Sequence, residues 1–407
     1  MSSISTVIAL VVIAGAYFAM RWSVRGSRRG DQSIDPPSEH RVLTMFQRFA
    51  FQDWLVTGYV LALWTLMAFG SGERRDKALL WVTLDTVAFA TLLVVARFPK
   101  SPKPLANVAY RLALPGAIIS TFTQLHFILP SARSVSFDAQ IFALDKAIFG
   151  MEPALAWDAY VTPHTTEWFS FFYYLYFGIL LVHVLPMSLL ERRTNVLREF
   201  SWGIFFVFCV GQLVYIAVPG FGPYRLLATE FKHPLEGPTF WPLVAQTVSS
   251  FDGAHRTDIF PSLHTAVPTF FTLFSFRHRR LFPFRYTWPV LAFATVNIIV
   301  ATMFLRWHYL LDVFAGLILA TTAFVTASRL PAWEDARRAR AGKPPIWLPL
   351  FPPPKEEGWV PDGVGLPVFG AAQGSLGTVR SLSEYRGRHT RRDGTAARPS
   401  LHDERAP

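Results

Sequence analysis

The stretch from Tyr286 to Ser328, YTWPVLAFATVNIIVATMFLRWHYLLDVFAGLILATTAFVTAS, decides the fold. Two apolar runs, 286–305 and 310–328, flank the short insert Arg306-Trp307-His308-Tyr309, and the one carboxylate in either run is Asp312. Each run is near the length of about 20 residues that a helix needs to cross a hydrocarbon core of about 30 Å. Open strands do not fit such a setting, because lipid leaves the N–H and C=O groups of a sheet edge unsatisfied. Working outward, seven further runs near that length occupy 4–20, 54–70, 78–96, 112–130, 168–190, 200–218 and 261–276. The sequence therefore predicts an all-α, polytopic transmembrane helical bundle of about nine spans.

Composition agrees. Of the 407 residues 51% are hydrophobic and only 16% charged, against about 25% charged in a soluble domain, and the mean hydropathy is +0.29. The 39 basic and 28 acidic residues give a net charge of +11. In a chain this apolar, such an excess reads as loops facing anionic lipid rather than a nucleic-acid surface. Cys209 is the single cysteine, so an intramolecular disulfide is excluded.

The run at 4–20 has no basic residue before it but is followed by Arg21, Arg25, Arg28 and Arg29, which fits an uncleaved anchor with its N-terminus outside. From that start the positive-inside rule assigns each loop. Expected inside segments carry Arg41 and Arg48, then Arg97, Lys100, Lys103 and Arg111, then Arg192, Arg193 and Arg198, then Arg277, Arg279, Arg280 and Arg285. The expected outside segment 131–167 holds Arg133 and Lys146 beside Asp138, Asp145, Glu152, Asp158 and Glu167. The loop with Arg74, Arg75 and Lys77 runs against the rule. By composition the chain divides at 1–53, an anchor helix and basic cytoplasmic segment; 54–164, accessory membrane helices and an outer amphipathic segment; 165–330, a catalytic membrane core; and 331–407, a Pro- and Arg-rich cytoplasmic tail read as disordered.

Two segments stand out from the apolar background: Asp258-Ile259-Phe260-Pro261-Ser262-Leu263-His264-Thr265 and Arg306-Trp307-His308-Tyr309-Leu310-Leu311-Asp312. Both are expected at the outer face. Helices packed at 8 to 10 Å would bring the two histidines to one substrate. His308 and Asp312, four apart, share a helix face, so the carboxylate can fix the imidazole tautomer and leave the other nitrogen as a nucleophile or base. Pro261 suits a first helical turn, and the N–H groups after it with the Ser262 hydroxyl form a phosphate seat. His264 there is positioned to protonate a leaving oxygen. Taken singly, each motif is more often a packing pair; their joint occurrence on one face of a membrane bundle points to catalysis, since ionisable groups at membrane depth are costly.

At these residues the sequence resembles the type 2 phosphatidic acid phosphatase superfamily, membrane relatives of vanadium haloperoxidases. That family's motifs read Pro-Ser-Gly-His and Ser-Arg followed by His-x-x-x-Asp; here stand Pro261-Ser262-Leu263-His264 and His308-x-x-x-Asp312. The resemblance implies a phosphatase- or haloperoxidase-like core in which His308 attacks phosphorus, Asp312 orients it and His264 protonates the departing group, with no metal and no cofactor. Ala301-Thr302 replaces Ser-Arg, Leu263 replaces glycine, and the family's first motif, Lys followed by Arg-Pro, has no convincing counterpart. With Phe260 and the His308-Tyr309 pair, these departures are more similar to the inositol phosphorylceramide synthase (inositolphosphotransferase) branch. The resemblance covers about residues 165–330.

Phosphoryl transfer needs positive charge near the non-bridging oxygens. Arg225, in the Gly- and Pro-rich loop 219–225, is the first candidate, with interfacial anchoring as its alternative; Arg306 and Arg256 follow, and Lys232 is weaker. Asp258 is expected either to position a partner or to cap a helix, and Tyr309 and His126 are accessory candidates. Residues 136–164 read as an amphipathic outer segment that either lines lipid access or caps the bundle. The expected function is an integral-membrane lipid phosphotransferase of the cell membrane with an extracytoplasmic site. Its donor would be a phospholipid or polyprenyl phosphate, and its acceptor a lipid or sugar hydroxyl. A lipid phosphate or polyprenyl (pyro)phosphate phosphatase is the alternative. A transporter or non-catalytic scaffold fits less well, since no inverted repeat is visible.

Overall fold

A computed structural model of the chain describes residues 45–347, apart from 73, 133–134, 253–256 and 344, with the side chains of 250–252 also left aside. The run at 4–20, Arg256 and the tail after 347 lie outside the described residues. The described part is helical, without strands: α1 Phe51–Ala68, α2 Arg75–Arg97, α3 Lys103–Thr123, α4 Leu125–Ala132, α5 Asp138–Phe149, α6 Pro153–Ala156, α7 Pro163–Leu189, α8 Thr194–Ala217, α9 Pro223–Leu226, α10 Phe240–Asp252, α11 Leu263–Arg277, α12 Phe284–Phe304, α13 Leu310–Ala327 and α14 Leu330–Arg340.

Six helices are long and apolar enough to cross a membrane: α2, α3, α7, α8, α12 and the run Leu310–Arg340, which joins α13 to α14. The protein is thus a multi-pass membrane bundle, and six of the nine expected runs meet that length and hydropathy among the described residues, the run at 4–20 lying outside them. Two further runs form helices in the expected places but fall short for physical reasons. α1 opens on Gln52 and Asp53, which lower its apolar character. α11 has 15 residues and rises only about 22 Å, less than a hydrocarbon core.

α11 lies at the centre, against α12 and α13, with α7 and α8 beside it. Its fully buried Phe270, Phe271 and Phe274 pack on Phe200 of α8. The helices approach closely there because Gly203 makes room: a Cβ on it would come within 2.0 Å of the Phe270 ring. In lipid such interdigitation, rather than exclusion of water, holds helices together. Several polar residues in apolar runs join neighbouring helices, as when the Tyr59 hydroxyl donates to Gln212 at 2.6 Å.

The reading of everything from 331 as structureless is corrected at its start. α14 forms there and docks by its buried Glu334, which accepts from the Phe51 N–H, and Ile346 and Trp347 are buried too. The segment 136–164, expected outside, folds as α5 and α6, and α5 is fastened to the bundle by Ile141, which is buried, and by Phe149, stacked on Phe314 of α13 at 5.1 Å.

Candidate active site

Ser262 caps α11, its hydroxyl oxygen accepting from the Thr265 N–H at 3.2 Å. Pro261 therefore precedes the cap instead of filling the first turn. The Ser262 N–H donates to the Asp312 carbonyl at 3.0 Å, which fixes the start of α11 against the start of α13. Gly316 permits this approach, since a Cβ on it would lie 2.6 Å from the Ser262 carbonyl oxygen. His264, in the first turn of α11, stacks on Tyr173 of α7 with ring centroids 4.4 Å apart and lies tilted against Tyr176 at 4.2 Å.

His308 sits just before α13, buried, its N–H donating to the Thr302 carbonyl. Its Nδ1 is 3.3 Å from Oδ2 of the fully buried Asp312, an oxygen that also accepts from the Tyr309 N–H at 3.0 Å. The two imidazoles, 44 residues apart by number, lie 6.3 Å apart between ring centroids. Both line a cavity of about 120 Å³, with Tyr173, Tyr176, Tyr215, Tyr224 and Trp307 among its walls and Asp258 as its carboxylate. Burial lowers the His308 pKa from 6.5 to about 4, against the opposing influence of Asp258 and a hydrogen bond to the Ile259 backbone, so at neutral pH the ring is uncharged.

The other candidates divide. Arg225 lies at the rim, its guanidinium 3.8 Å over the ring of the cavity-lining Phe221. Arg306 is turned away: its Nη2 donates to Asp158 at 2.9 Å and to the His233 carbonyl at 2.5 Å, and it lies 3.9 Å over Phe231. Its expected phosphate contact is thus replaced by a structural one. Lys232 is exposed, and its backbone N–H is what joins Asp158. Tyr309 is fully buried with its hydroxyl on Asp138, so it supports the site from behind. His126 bonds the Thr123 carbonyl and is not among the cavity walls. Among the described residues, neither lysine nor arginine lines the cavity.

Residues read from sequence only as charge balance turn out to hold the site together. Asp138 accepts from the N–H groups of Phe221 and Gly222, each at 2.8 Å, and from the Tyr309 hydroxyl at 3.1 Å. Asp145 accepts from the first N–H groups of α13, Leu310 at 2.8 Å and Leu311 at 2.9 Å, where an anion also complements the helix dipole. Glu167 does the same for Thr239, Phe240 and Trp241 at the start of α10. Burial and the neighbouring Asp145 raise the pKa of Glu152, which lies behind α13. The sequence signal was present: five carboxylates in a segment expected outside a bundle with exposed helix starts nearby.

The loop of Gly220, Phe221 and Gly222 is pressed onto the His308 segment. Tyr224 N–H donates to the Arg306 carbonyl at 2.8 Å, and Gly220 forms a parallel bridge with Asp258. Gly222 has φ +101°, and a Cβ there would lie 2.3 Å from the Trp307 carbonyl oxygen, so only glycine fits.

Residues 139–326 match the PAP2 superfamily model. The matched segment begins in α5 and ends in α13, so it takes in both histidines, Asp312 and the outer carboxylates Asp145 and Asp158. It starts earlier than the region of resemblance at 165–330. No curated protein and no solved structure matches the chain. PAP2 superfamily proteins are generally phosphatases or phosphotransferases, which supports an enzyme, and the six candidate spans place it in a membrane.

Proposed function

We infer that the protein is a lipid phosphotransferase that carries a phospho-head group on His308 and passes it to a lipid or sugar hydroxyl. The observation that supports this most is the convergence of His264 and His308, 6.3 Å apart by ring centroid, on one cavity with Asp312 behind the second ring. In the first half-reaction His308 Nε2, opposite the nitrogen facing Asp312, attacks phosphorus. The bond from phosphorus to the leaving oxygen breaks, and that oxygen takes the proton of His264. In the second, an acceptor hydroxyl gives its proton to His264, its oxygen attacks phosphorus, and the phosphorus–nitrogen bond breaks.

Aromatic walls, with neither lysine nor arginine among the described residues that line the cavity, favour a phosphodiester, with one negative charge, over a monoester with two. That supports transfer of an inositol-phosphate-like head group over the hydrolysis of a lipid monophosphate. With the orientation argued from the loop charges, the site faces outside the cytoplasm.

Incubating the purified protein with labelled phospholipid donors, with and without an alcohol acceptor, tests the reading. Acceptor-dependent product with little free phosphate is expected. Release of phosphate without acceptor assigns a phosphatase, and wild-type turnover by His308→Ala overturns the site.

A further inference from the structure

The end of α13 remote from His308, roughly 27 Å along its 18 residues, holds a second concentration of charge. Arg97 donates to both oxygens of Asp53, at 2.7 and 3.0 Å, and the Tyr110 hydroxyl donates to the same group at 2.6 Å. Both oxygens of Glu334 accept from the Phe51 N–H. Asp335 nearby is paired with Arg198. The carboxylates of this region are therefore already employed.

Around them stand more cations than they balance. Buried Arg338 donates to the Arg48 carbonyl at 3.0 Å, and the Lys343 ammonium to the Gln47 carbonyl at 2.6 Å. Arg48, Arg337 and Lys343 are half-buried and form the outer rim. Arg337 lies 5.4 and 5.5 Å from the ring centroids of Phe51 and Trp333, and its Nη1 is buried with no hydrogen-bond partner among the described residues. Among the described residues, Arg48, Arg97, Arg337, Arg338 and Lys343 stand against Asp53 and Glu334, an excess of three positive charges. Burial lowers the Lys343 pKa, and Arg338, Arg337 and Arg48 lower it further, the sign of cations crowding one another.

Half-buried charge of one sign calls for a counter-ion. The surroundings indicate which: α14 leaves a membrane-spanning helix carrying Trp333, 48% exposed, beside Arg337, and tryptophan next to arginine is the composition of a membrane interface. We propose that Arg48, Arg337 and Lys343 bind the phosphate of an anionic phospholipid head group at this face of the membrane, in a site separate from the histidine cavity. The site bridges α14 to the segment before α1, so an occupied site braces the two ends of the described chain against each other. It does not depend on the reaction assigned to the histidines.

The test uses the purified full chain in three settings: phosphatidylcholine nanodiscs, the same with one part in five phosphatidylglycerol, and phosphatidylcholine with inorganic phosphate at matched ionic strength. Thermal unfolding and retained lipid by native mass spectrometry are read in each. A raised midpoint and retained phosphatidylglycerol are expected only in the second setting. Each cation near an anionic surface is worth about fivefold in affinity, so Arg337→Gln with Lys343→Gln should weaken retention about 25-fold and remove the rise in midpoint that phosphatidylglycerol gives over phosphatidylcholine. Equal behaviour of the wild type in all three settings overturns the proposal, as does equal stabilisation by free phosphate, which would make this a general anion site. If the double variant fails to fold, Arg48→Gln alone gives the comparison, and undiminished retention by it, too, overturns the proposal.

Discussion

Replacing Asp138 by asparagine removes one acceptor oxygen from a group that serves two loops at once. The amide oxygen keeps Gly222 N–H and the Tyr309 hydroxyl if it takes the Oδ1 position, where those donors lie 2.8 and 3.1 Å away. The new NH2 then faces the Phe221 N–H, now 2.8 Å from a donor instead of an acceptor. A hydrogen bond to a charged group contributes about 1.5–3 kcal/mol. If that loss appears in the alignment of the loop 220–224 over His308, kcat/KM falls by about 10- to 150-fold, at 1.36 kcal/mol per decade. The assay is acceptor-dependent transfer from a labelled phospholipid, with phosphoenzyme formation timed by rapid quench. The variant should form phosphoenzyme slowly while still binding donor. A folded Asp138→Asn protein whose kcat/KM stays within about twofold of wild type would refute the reasoning, as that energy range predicts at least a tenfold loss.

Four further outcomes are expected. Asp312→Asn should fold, because Oδ1 of Asp312 already lacks a partner, yet lose up to about 10⁴ in rate by releasing the His308 tautomer; steady-state kinetics beside circular dichroism check this. Since the His308 pKa is lowered to about 4, the nucleophile stays neutral well below pH 6.5, and its acid limb in kcat/KM should appear near pH 4. For folding, the same shift gives stability that is complete above pH 6.5 and is lost towards pH 4, by up to about 3 kcal/mol; His308→Gln should flatten that slope in thermal melts. Glu152 has the opposite sign, its pKa raised by burial and Asp145, so its contribution is present at acid pH and lost on the alkaline side, a loss that Glu152→Gln should abolish in melts taken through pH 9. Gly222→Ala should cost about 1–3 kcal/mol for the backbone alone, with further loss from the Trp307 carbonyl, read as a lower unfolding midpoint and reduced transfer.

Much of this was visible in the chain before its structure. The apolar runs at 78–96, 168–190, 200–218, 286–305 and 310–328 correspond to membrane-length helices, because length and hydropathy are local properties; the run at 112–130 is instead divided at Gln124, its first part ending the span Lys103–Thr123 and its second lying in α4. The meeting of His264, His308 and Asp312 followed from their motifs. The destination of each charged side chain was not legible. Arg306 sits one residue from Trp307, yet its backbone has φ +69° and its guanidinium leaves for Asp158, a choice made by a residue 148 positions away. For the same reason Asp138 and Asp145 passed as loop charge: a clamp is defined by the N–H groups it meets, and nothing near it in sequence names them. Helix α14, short and rich in arginine, lacks apolar periodicity and becomes ordered through Glu334 and Arg338, contacts with residues almost 300 positions earlier.

The pairing of Asp53 with Arg97 bears on how the protein is made. An aspartate carried alone into lipid at the head of α1 is unfavourable, and its partner is at the far end of α2. α1, which alone falls short of the apolar character of the six spans, would wait at the margin of the translocon until Arg97 emerges and then enter with α2 as a hairpin, with Tyr110 of α3 completing the seal. A ribosome stalled before residue 97 should leave α1 extractable by alkali, whereas one stalled after α3 should not.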